Sequence, residues 1–299
     1  MDLADKGGGA VVMTELLPMS QAFLSLGMIK MVVTDLDGTL LRSDRKVSSR
    51  DLETLAILGE KGVIRVIATG RSPYSFNRVI PPDFPIDYLV FSSGTGVMDF
   101  RTKEVLFAQS LDAEKVSEIV KILQEMEISF KVLEPVPNNH QYAYYLNGDL
   151  HPDFVKRMEF YRGFEKAMVF DPPNFGEASQ ILIILPPDVD RFNQISMGLS
   201  GVKVVRATSP LDHESIWMEV FHPEVSKAGG MAFIARRHGI TPVMIMSVGN
   251  DYNDLDMLAY TGSSFVVANS PDDIRKLYPV VSSHDEDGFT GAVSRVIAV

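Results

Sequence analysis

Two acids stand two residues apart at the end of an apolar run in MVVTDLDGTLL, residues 31–41. Asp35 and Asp37 follow Met31, Val32 and Val33, which read as a buried strand. An unpaired carboxylate in apolar surroundings is very costly, so the pair needs both a compensating charge and a use. Three further polar clusters close apolar runs: Thr69 with Gly70, the loop 92–96, and GNDYND from Gly249 to Asp254. A turn or a helix cap explains any one of them. Four at successive strand ends point instead to a binding edge, because ligands of an open α/β sheet sit beyond the carboxyl ends of its strands.

Acids gathered at one edge need a cation. Oxygen ligands without His or Cys point to Mg²⁺, which takes one or two carboxylates and completes its shell with waters and substrate phosphate. Metal-bound phosphate implies phosphoryl chemistry, where catalysis is mostly positioning and charge neutralisation. Lys227, in EVSKAGG, opens a helix against the preference of the helix dipole and so reads as a source of positive charge. The chain has no cysteine, which excludes disulfides, Cys-zinc sites and thiol catalysis. Its six histidines are scattered, with no H-E-x-x-H and no pair at helix-face spacing.

The elements that must position these residues follow a simple alternation. MVVTD is a strand; SSRDLETLAILGEKG is a helix with Ser48 as its cap, a Leu52/Leu55/Leu58 stripe and a stop at Gly62. VIRVIATGR and YLVFSSGTG supply the next two strands. Continuous apolar strands joined through helices indicate a parallel sheet covered on both faces. The pattern then changes to an amphipathic helix, LDAEKVSEIVKILQEMEI, and to strands SFKVLE, QYAYYLN, SQILIILPP, VKVVRAT and SIWMEVF around the helix DRFNQISMGLS. Paired strands with short turns indicate an α+β unit whose sheet is mostly antiparallel. After it the first pattern resumes, with KAGGMAFIARRHG, VMIMSVGN, SFVVANS and YPVVSS. The expected fold is therefore α/β, a Rossmann-like doubly wound parallel sheet over residues 28–99 and 216–299, with an α+β cap inserted at 100–215.

The composition, 45% hydrophobic and 22% charged over 299 residues, is that of an ordinary globular chain. A net charge of −11 argues against nucleic-acid and anionic-membrane surfaces. No run reaches the roughly 20 apolar residues of a membrane span. Residues 1–27 are poorly patterned, lack the basic start of a signal peptide, and read as a poorly ordered extension.

DLDGTLL, IATGR, SKAGG and GNDYNDLDM, in this order, resemble the haloacid dehalogenase (HAD) superfamily of phosphohydrolases, and specifically its Cof-like branch with a large α/β cap. The resemblance runs from Met28 to Val299 and takes in NSPDDIRKL and HDEDGFTGAV. It implies that Asp35 is a nucleophile forming an aspartyl-phosphate. Asp37 would be the acid that protonates the leaving oxygen and then the base for water, its carbonyl facing the metal. Thr69 and Gly70 would bind the phosphoryl group, Lys227 would neutralise it, and Asn253 would reach the phosphate or order Lys227. Where the family has G-D-x-x-N-D, this chain has Asn250, which offers an oxygen but no charge. The metal site is then Asp35, Asp37 and Asn250, with Asp251 or Asp254 restoring the charge. The branch's usual Asn-Gly is here Ser93-Gly94.

The reading that follows is a cytoplasmic Mg²⁺-dependent phosphatase, monomeric or a small homo-oligomer. It acts on a small phosphorylated metabolite such as a sugar phosphate, with no nucleic-acid or membrane partner. A phosphotransferase or mutase on the same scaffold is the alternative within enzymes. A non-catalytic ligand-binding descendant is the alternative outside them and rests on Asn250. PVPNNHQYAYY and FDPPNFGE are the cap loops placed to face substrate.

Overall fold

The computed structural model describes residues 29–148, 150–167, 176–209 and 211–299. The expected extension at 1–27 and most of the loop FDPPNFGE lie outside them. In chain order the strands are β1 (Met31–Thr34), β2 (Ile64–Ala68), β3 (Tyr88–Phe91), β4 (Gly96–Asp99), β5 (Val105–Ala108), β6 (Phe130–Leu133) and β7 (Tyr142–Tyr145). They continue as β8 (Glu165–Ala167), β9 (Gln180–Leu185), β10 (Lys203–Thr208), β11 (Ile216–Phe221), β12 (Ile245–Gly249), β13 (Ser263–Val267) and β14 (Val280–Val281).

The first sheet has the order β14-β13-β12-β1-β2-β3-β4-β5. Its six strands from β14 to β3 run parallel, and every residue of β1 is buried. The period of two explains why β1 carries no polar face. Met31 and Val33 pack with Met231, Ile234 and Ala235 of the helix Lys227–Arg237. Val32 points the other way, into a cluster with Leu55 and Leu58 of the helix Ser49–Glu60. Burying one such leucine is worth roughly 1.5–3 kcal/mol, so the two helix layers hold the sheet from both sides. Ser48 caps the Ser49–Glu60 helix as its sequence suggests, its hydroxyl accepting from the Asp51 N–H at 3.0 Å. Asp51 itself is buried and accepts from both the backbone N–H and the hydroxyl of Thr290.

The second sheet, β10-β11-β9-β6-β7-β8, is antiparallel except for the β7–β8 pair. Helix Ala113–Glu125 covers one face through Val116, Ile119, Val120 and Leu123, against Ile181, Ile183, Met218 and Val220. The opposite face carries Leu133, Tyr142, Leu182, Ile184 and Trp217 under Phe154 and Tyr161, and Tyr74 of the first unit packs against it. This is the α/β fold with an inserted, mixed-sheet cap.

Two strands depart from the expected division at 100 and 215. β5 pairs with β4 as an antiparallel hairpin at the edge of the first sheet, so that sheet continues to Ala108. β11 lies in the middle of the second sheet, so the cap continues to Phe221. Helix Pro152–Phe160 and β8 had no counterpart in the sequence pattern; the helix shows only Asp153 and Phe154 as buried positions, too few to make a stripe.

Candidate active site

The backbone of β1 places Asp35 before its side chain is considered. The Asp35 N–H donates to Val248 O at 2.9 Å, which continues the β1–β12 pairing one residue past the strand and aims the carboxylate over the sheet edge. Opposite it, Ser226 caps the helix Lys227–Arg237 by accepting from the Gly229 N–H at 2.9 Å, which fixes Lys227 as the first helical residue. Gly94 lets the loop after β3 press on that cap: a Cβ there would lie 2.0 Å from Ser226 O, and its φ of +101° favours glycine. The Lys227 ammonium is fully buried and donates to Asp35 Oδ1 and to Asp254 Oδ1, each at 2.6 Å.

Asp254 has no oxygen to spare. Its Oδ2 accepts from the backbone N–H groups of Asn250 at 2.8 Å and Asp251 at 3.1 Å, so the turn after β12 is wound around this carboxylate. Asp251 turns toward the cap, where its two oxygens accept from the Thr208 N–H at 2.7 Å and the Thr208 hydroxyl at 3.0 Å. Asn250 faces the loop after β1: its Oδ1 accepts from the Thr39 hydroxyl at 3.2 Å, and its amide nitrogen lies 2.7 Å from where a Cβ on Gly38 would stand. Asn253 is half-buried in the same turn. The structure thus brings Asp35, Lys227 and Asp254 together and directs Asp251 to the cap strand β10.

Asp37 has a partner that sequence reasoning passed over. Arg71 forks onto it, Nε to Oδ2 at 2.7 Å and Nη2 to Oδ1 at 2.6 Å, and is steadied by a third bond from Nη1 to Ser75 O. A planar guanidinium matches a carboxylate in this way and fixes its orientation. The signal was present, since Arg71 ends IATGR. Thr69 is buried, and its Oγ1 accepts from the Arg71 N–H at 3.1 Å. Gly70 lies beside Ser93, whose Oγ is 3.6 Å from where a Gly70 Cβ would stand.

The loop at 92–96 is held from the cap. Ser93 Oγ donates to Glu219 Oε2 at 2.9 Å, Gln180 donates to the other Glu219 oxygen at 2.8 Å, and Asn139 Nδ2 donates to Ser92 Oγ at 2.8 Å. Glu219 was missed although an acid inside the apolar strand SIWMEVF is an informative position, because buried acids are almost always partnered.

Charge balance at the edge is incomplete. Burial first, and then the Asp254 charge, push Asp35 up to about 7 against the pull of Lys227. Burial works to lower Lys227, but Asp254 and Asp35 together outweigh it and hold the ammonium above the ordinary lysine value. A site in which a carboxylate is still destabilised beside a charged lysine suits a further cation. Among the described residues no three His, Cys, Asp or Glu side chains gather as a ready metal cage. The oxygens open to one are Asp35 Oδ2, which accepts no hydrogen bond among the described residues, the Asp37 carbonyl, and Asn250 Oδ1, which accepts from Thr39 and has a second lone pair. One carboxylate with neutral oxygens is a donor set that fits Mg²⁺, which keeps several waters and takes phosphate oxygens as ligands.

The chain matches the family model of haloacid dehalogenase-like hydrolases over residues 32–295. It belongs to that family. As a HAD-like hydrolase it is similar, at 24% identity over 256 residues, to the HMP-PP phosphatase of Klebsiella pneumoniae, covering 84% of this chain and 89% of that protein. Among solved structures it resembles the HAD phosphatase BT1666 of Bacteroides thetaiotaomicron with a TM-score of 0.74 at 21% identity, covering 95% of this chain and 98% of the other. It also resembles the HAD subclass IIB sugar phosphatase BT4131, with a TM-score of 0.71 at 18% identity over 89% of this chain and 98% of that one. These likenesses establish the fold of a HAD-like hydrolase with its cap. No helix among the described residues is long and apolar enough to cross a membrane.

Proposed function

We propose that this HAD-like hydrolase is a Mg²⁺-dependent phosphatase of small phosphorylated metabolites, sugar phosphates foremost, acting through an aspartyl-phosphate on Asp35. The observation that carries this is the buried row Asp35–Lys227–Asp254 beside the Arg71-held Asp37. A buried carboxylate, a fixed positive charge and a second, more exposed carboxylate at one sheet edge support this reading. The names of the Klebsiella relative and of the subclass IIB sugar phosphatase favour the same substrate class.

In this mechanism Lys227 steadies the Asp35 carboxylate and offsets the incoming phosphate, while Thr69 and the Gly70 N–H hold the phosphoryl oxygens. Asp35 attacks phosphorus and the ester P–O bond breaks, with Asp37, protonated once it turns off Arg71, giving its proton to the departing oxygen. A water then attacks the aspartyl-phosphate and Asp37 takes its proton, which frees inorganic phosphate and restores both acids. Mg²⁺ held by Asp35, the Asp37 carbonyl and Asn250 Oδ1 would supply charge neutralisation to the carboxylate and phosphoryl oxygens. The test is phosphate release from an aryl phosphate and a panel of phosphorylated sugars, with Mg²⁺ and with EDTA. Asp35→Asn is expected to abolish release while the protein stays folded, and beryllium fluoride is expected to bind the wild type at Asp35. Turnover by Asp35→Asn at the wild-type rate would defeat the mechanism. Transfer to an acceptor without free phosphate would move the reading to a phosphotransferase.

A further inference from the structure

The face of the cap sheet nearest Tyr74 carries a lysine that the chemistry above does not use. Lys131, within β6, is 1% exposed, and its Nζ makes no hydrogen bond and no ion pair among the described residues. The nitrogen lies 4.6 Å from the ring centres of both Tyr142 and Phe154. A buried, unpaired ammonium is costly, and an apolar side chain would fill the same place without that cost. It is not isolated. Lys131, Asn139, Tyr142, Arg157 and Tyr161 line one cleft, in which the Tyr142 hydroxyl and Asn139 Oδ1 also lack partners. Arg157 stands 5.0 Å from the ring centre of Tyr161 and 4.8 Å from that of Trp217, with no carboxylate bound to it among the described residues. Burial first, and the Arg157 charge second, pull the Lys131 amine down to about 6 against the opposing charge of Glu165. An anion seated beside both would pair the Arg157 charge and draw a proton onto the Lys131 amine, supplying what each lacks.

The cleft borders the catalytic edge. Asn139 bonds Ser92, the neighbour of Ser93, and the Ser92 hydroxyl can serve either end of the amide, so an N–H can also face the cleft. Tyr74, three residues beyond Arg71, stacks on His140 at 5.2 Å and packs on Tyr161 at 5.8 Å. The interior volume is about 10 Å³, room for one oxygen-sized atom of a group that enters from the open side and not for a sugar ring.

We propose that this cleft is a subsite for a second anionic group of the substrate, of carboxylate size, seated between Lys131 and Arg157 under the Tyr142 hydroxyl while the scissile phosphate lies at Asp35. The proposal rests on the phosphatase reading and narrows its substrates to phosphorylated acids and other molecules with an anion at each end. The pair 6-phosphogluconate and sorbitol 6-phosphate tests it, because they differ in a terminal carboxylate against a CH₂OH. The wild type is expected to favour the acid about ten-fold or more in kcat/KM, as hydrogen bonds to charged groups allow. Lys131→Met and, separately, Arg157→Met are expected to bring the acid preference down toward one. Calorimetric binding of the pair to Asp35→Asn reads the same ratio without turnover. Equal affinity and equal kcat/KM for acid and alcohol, or a preference that survives both substitutions, would overturn the subsite. If an aryl phosphate is hydrolysed without any acid preference, the subsite fails and the phosphatase stands. If nothing is hydrolysed but Asp35→Asn binds the acid in a Lys131-dependent way, the phosphatase reading fails and the subsite stands.

Discussion

Replacing Lys131 by methionine should make the protein more stable, by an amount that depends on pH in a defined direction. In the folded chain burial, reinforced by Arg157, lowers the amine from 10.5 to about 6. The unfolded chain keeps the ordinary value, so between about pH 6 and 10.5 the unfolded state holds a proton that the folded state has lost. Wild-type stability therefore rises with pH through this window, and the full cost of the lysine is present below pH 6. Each pH unit corresponds to ~1.4 kcal/mol. At pH 7.5, about three units below the unfolded value, the cost is on the order of 4 kcal/mol. Methionine has a similar length, no charge and a thioether that tolerates the flanking rings of Tyr142 and Phe154. Denaturant unfolding of both proteins from pH 6.5 to 9 is the assay, because every other titrating group is common to the two and cancels in the difference. The variant's advantage should shrink by ~1.4 kcal/mol per unit as pH rises. A variant less stable than the wild type, or an advantage that does not change with pH, would refute the unpaired buried amine. Greater stability together with a lost preference for acids would mark Lys131 as a group kept for its ligand at the expense of the fold.

Three further outcomes follow from the catalytic edge. Asp37→Asn should slow hydrolysis of sugar phosphates far more than that of an activated aryl phosphate, whose leaving oxygen needs little protonation; equal losses in steady-state rates would make Asp37 a structural partner of Arg71 only. Asn250→Asp should lower the Mg²⁺ concentration for half-maximal activity about ten-fold, the effect of one added charge at close range, whereas Asp251→Asn should leave it near the wild-type value because both Asp251 oxygens serve Thr208. Lys227→Met should cost about 3–5 kcal/mol in denaturant unfolding, since it leaves Asp35 and Asp254 buried side by side without their shared cation. A Lys227→Met protein as stable as the wild type would show that the two carboxylates do not depend on it.

The core was legible where the pattern had one cause. β1, β3 and β12 are wholly buried, mostly apolar runs ended by polar residues, and a run buried on both faces leaves little alternative to a central parallel strand. The Ser48 cap was legible for the same reason, being a local signal with a local partner. The edge hairpin was not, because β5 is only half-buried and its antiparallel pairing with β4 depends on a turn of five residues that lacks a decisive motif. Helix Pro152–Phe160 fully buries only Asp153 and Phe154, leaves Arg157 and Met158 half-buried and exposes the rest, so periodicity could not announce it. Among the candidate site residues, Asp35, Asp37, Thr69 and Lys227 were visible because each breaks an apolar pattern at an element boundary. Arg71 and Glu219 were not singled out because their roles depend on partners 34 and 126 residues away. Lys131 alternates with apolar neighbours in SFKVLE, which is what an exposed strand lysine does; only the second layer over that face shows it to be enclosed.

The turn GNDYND shows how polar residues close together in sequence come to serve separate needs. Asp254 is consumed by the fold, since two backbone N–H groups and the Lys227 ammonium take both its oxygens. Asp251 is consumed by the cap, and its bond to Thr208 ties the turn to the end of β10. Asn250 alone turns its oxygen toward the loop that carries Asp37, through Thr39. The acids close to Asn250 in sequence therefore cannot lend their charge to a metal without releasing either the lysine or the cap. On the proposed reading Asp35 is then the single carboxylate of the Mg²⁺ donor set, shared between Lys227 and the cation. A cation held by one carboxylate and neutral oxygens gains most when a phosphate dianion arrives, so metal and substrate should each tighten the binding of the other. In Asn250→Asp the metal should hold tightly by itself and this mutual dependence should weaken. The same substitution then reports both the affinity of the site and how far it relies on its substrate to complete it.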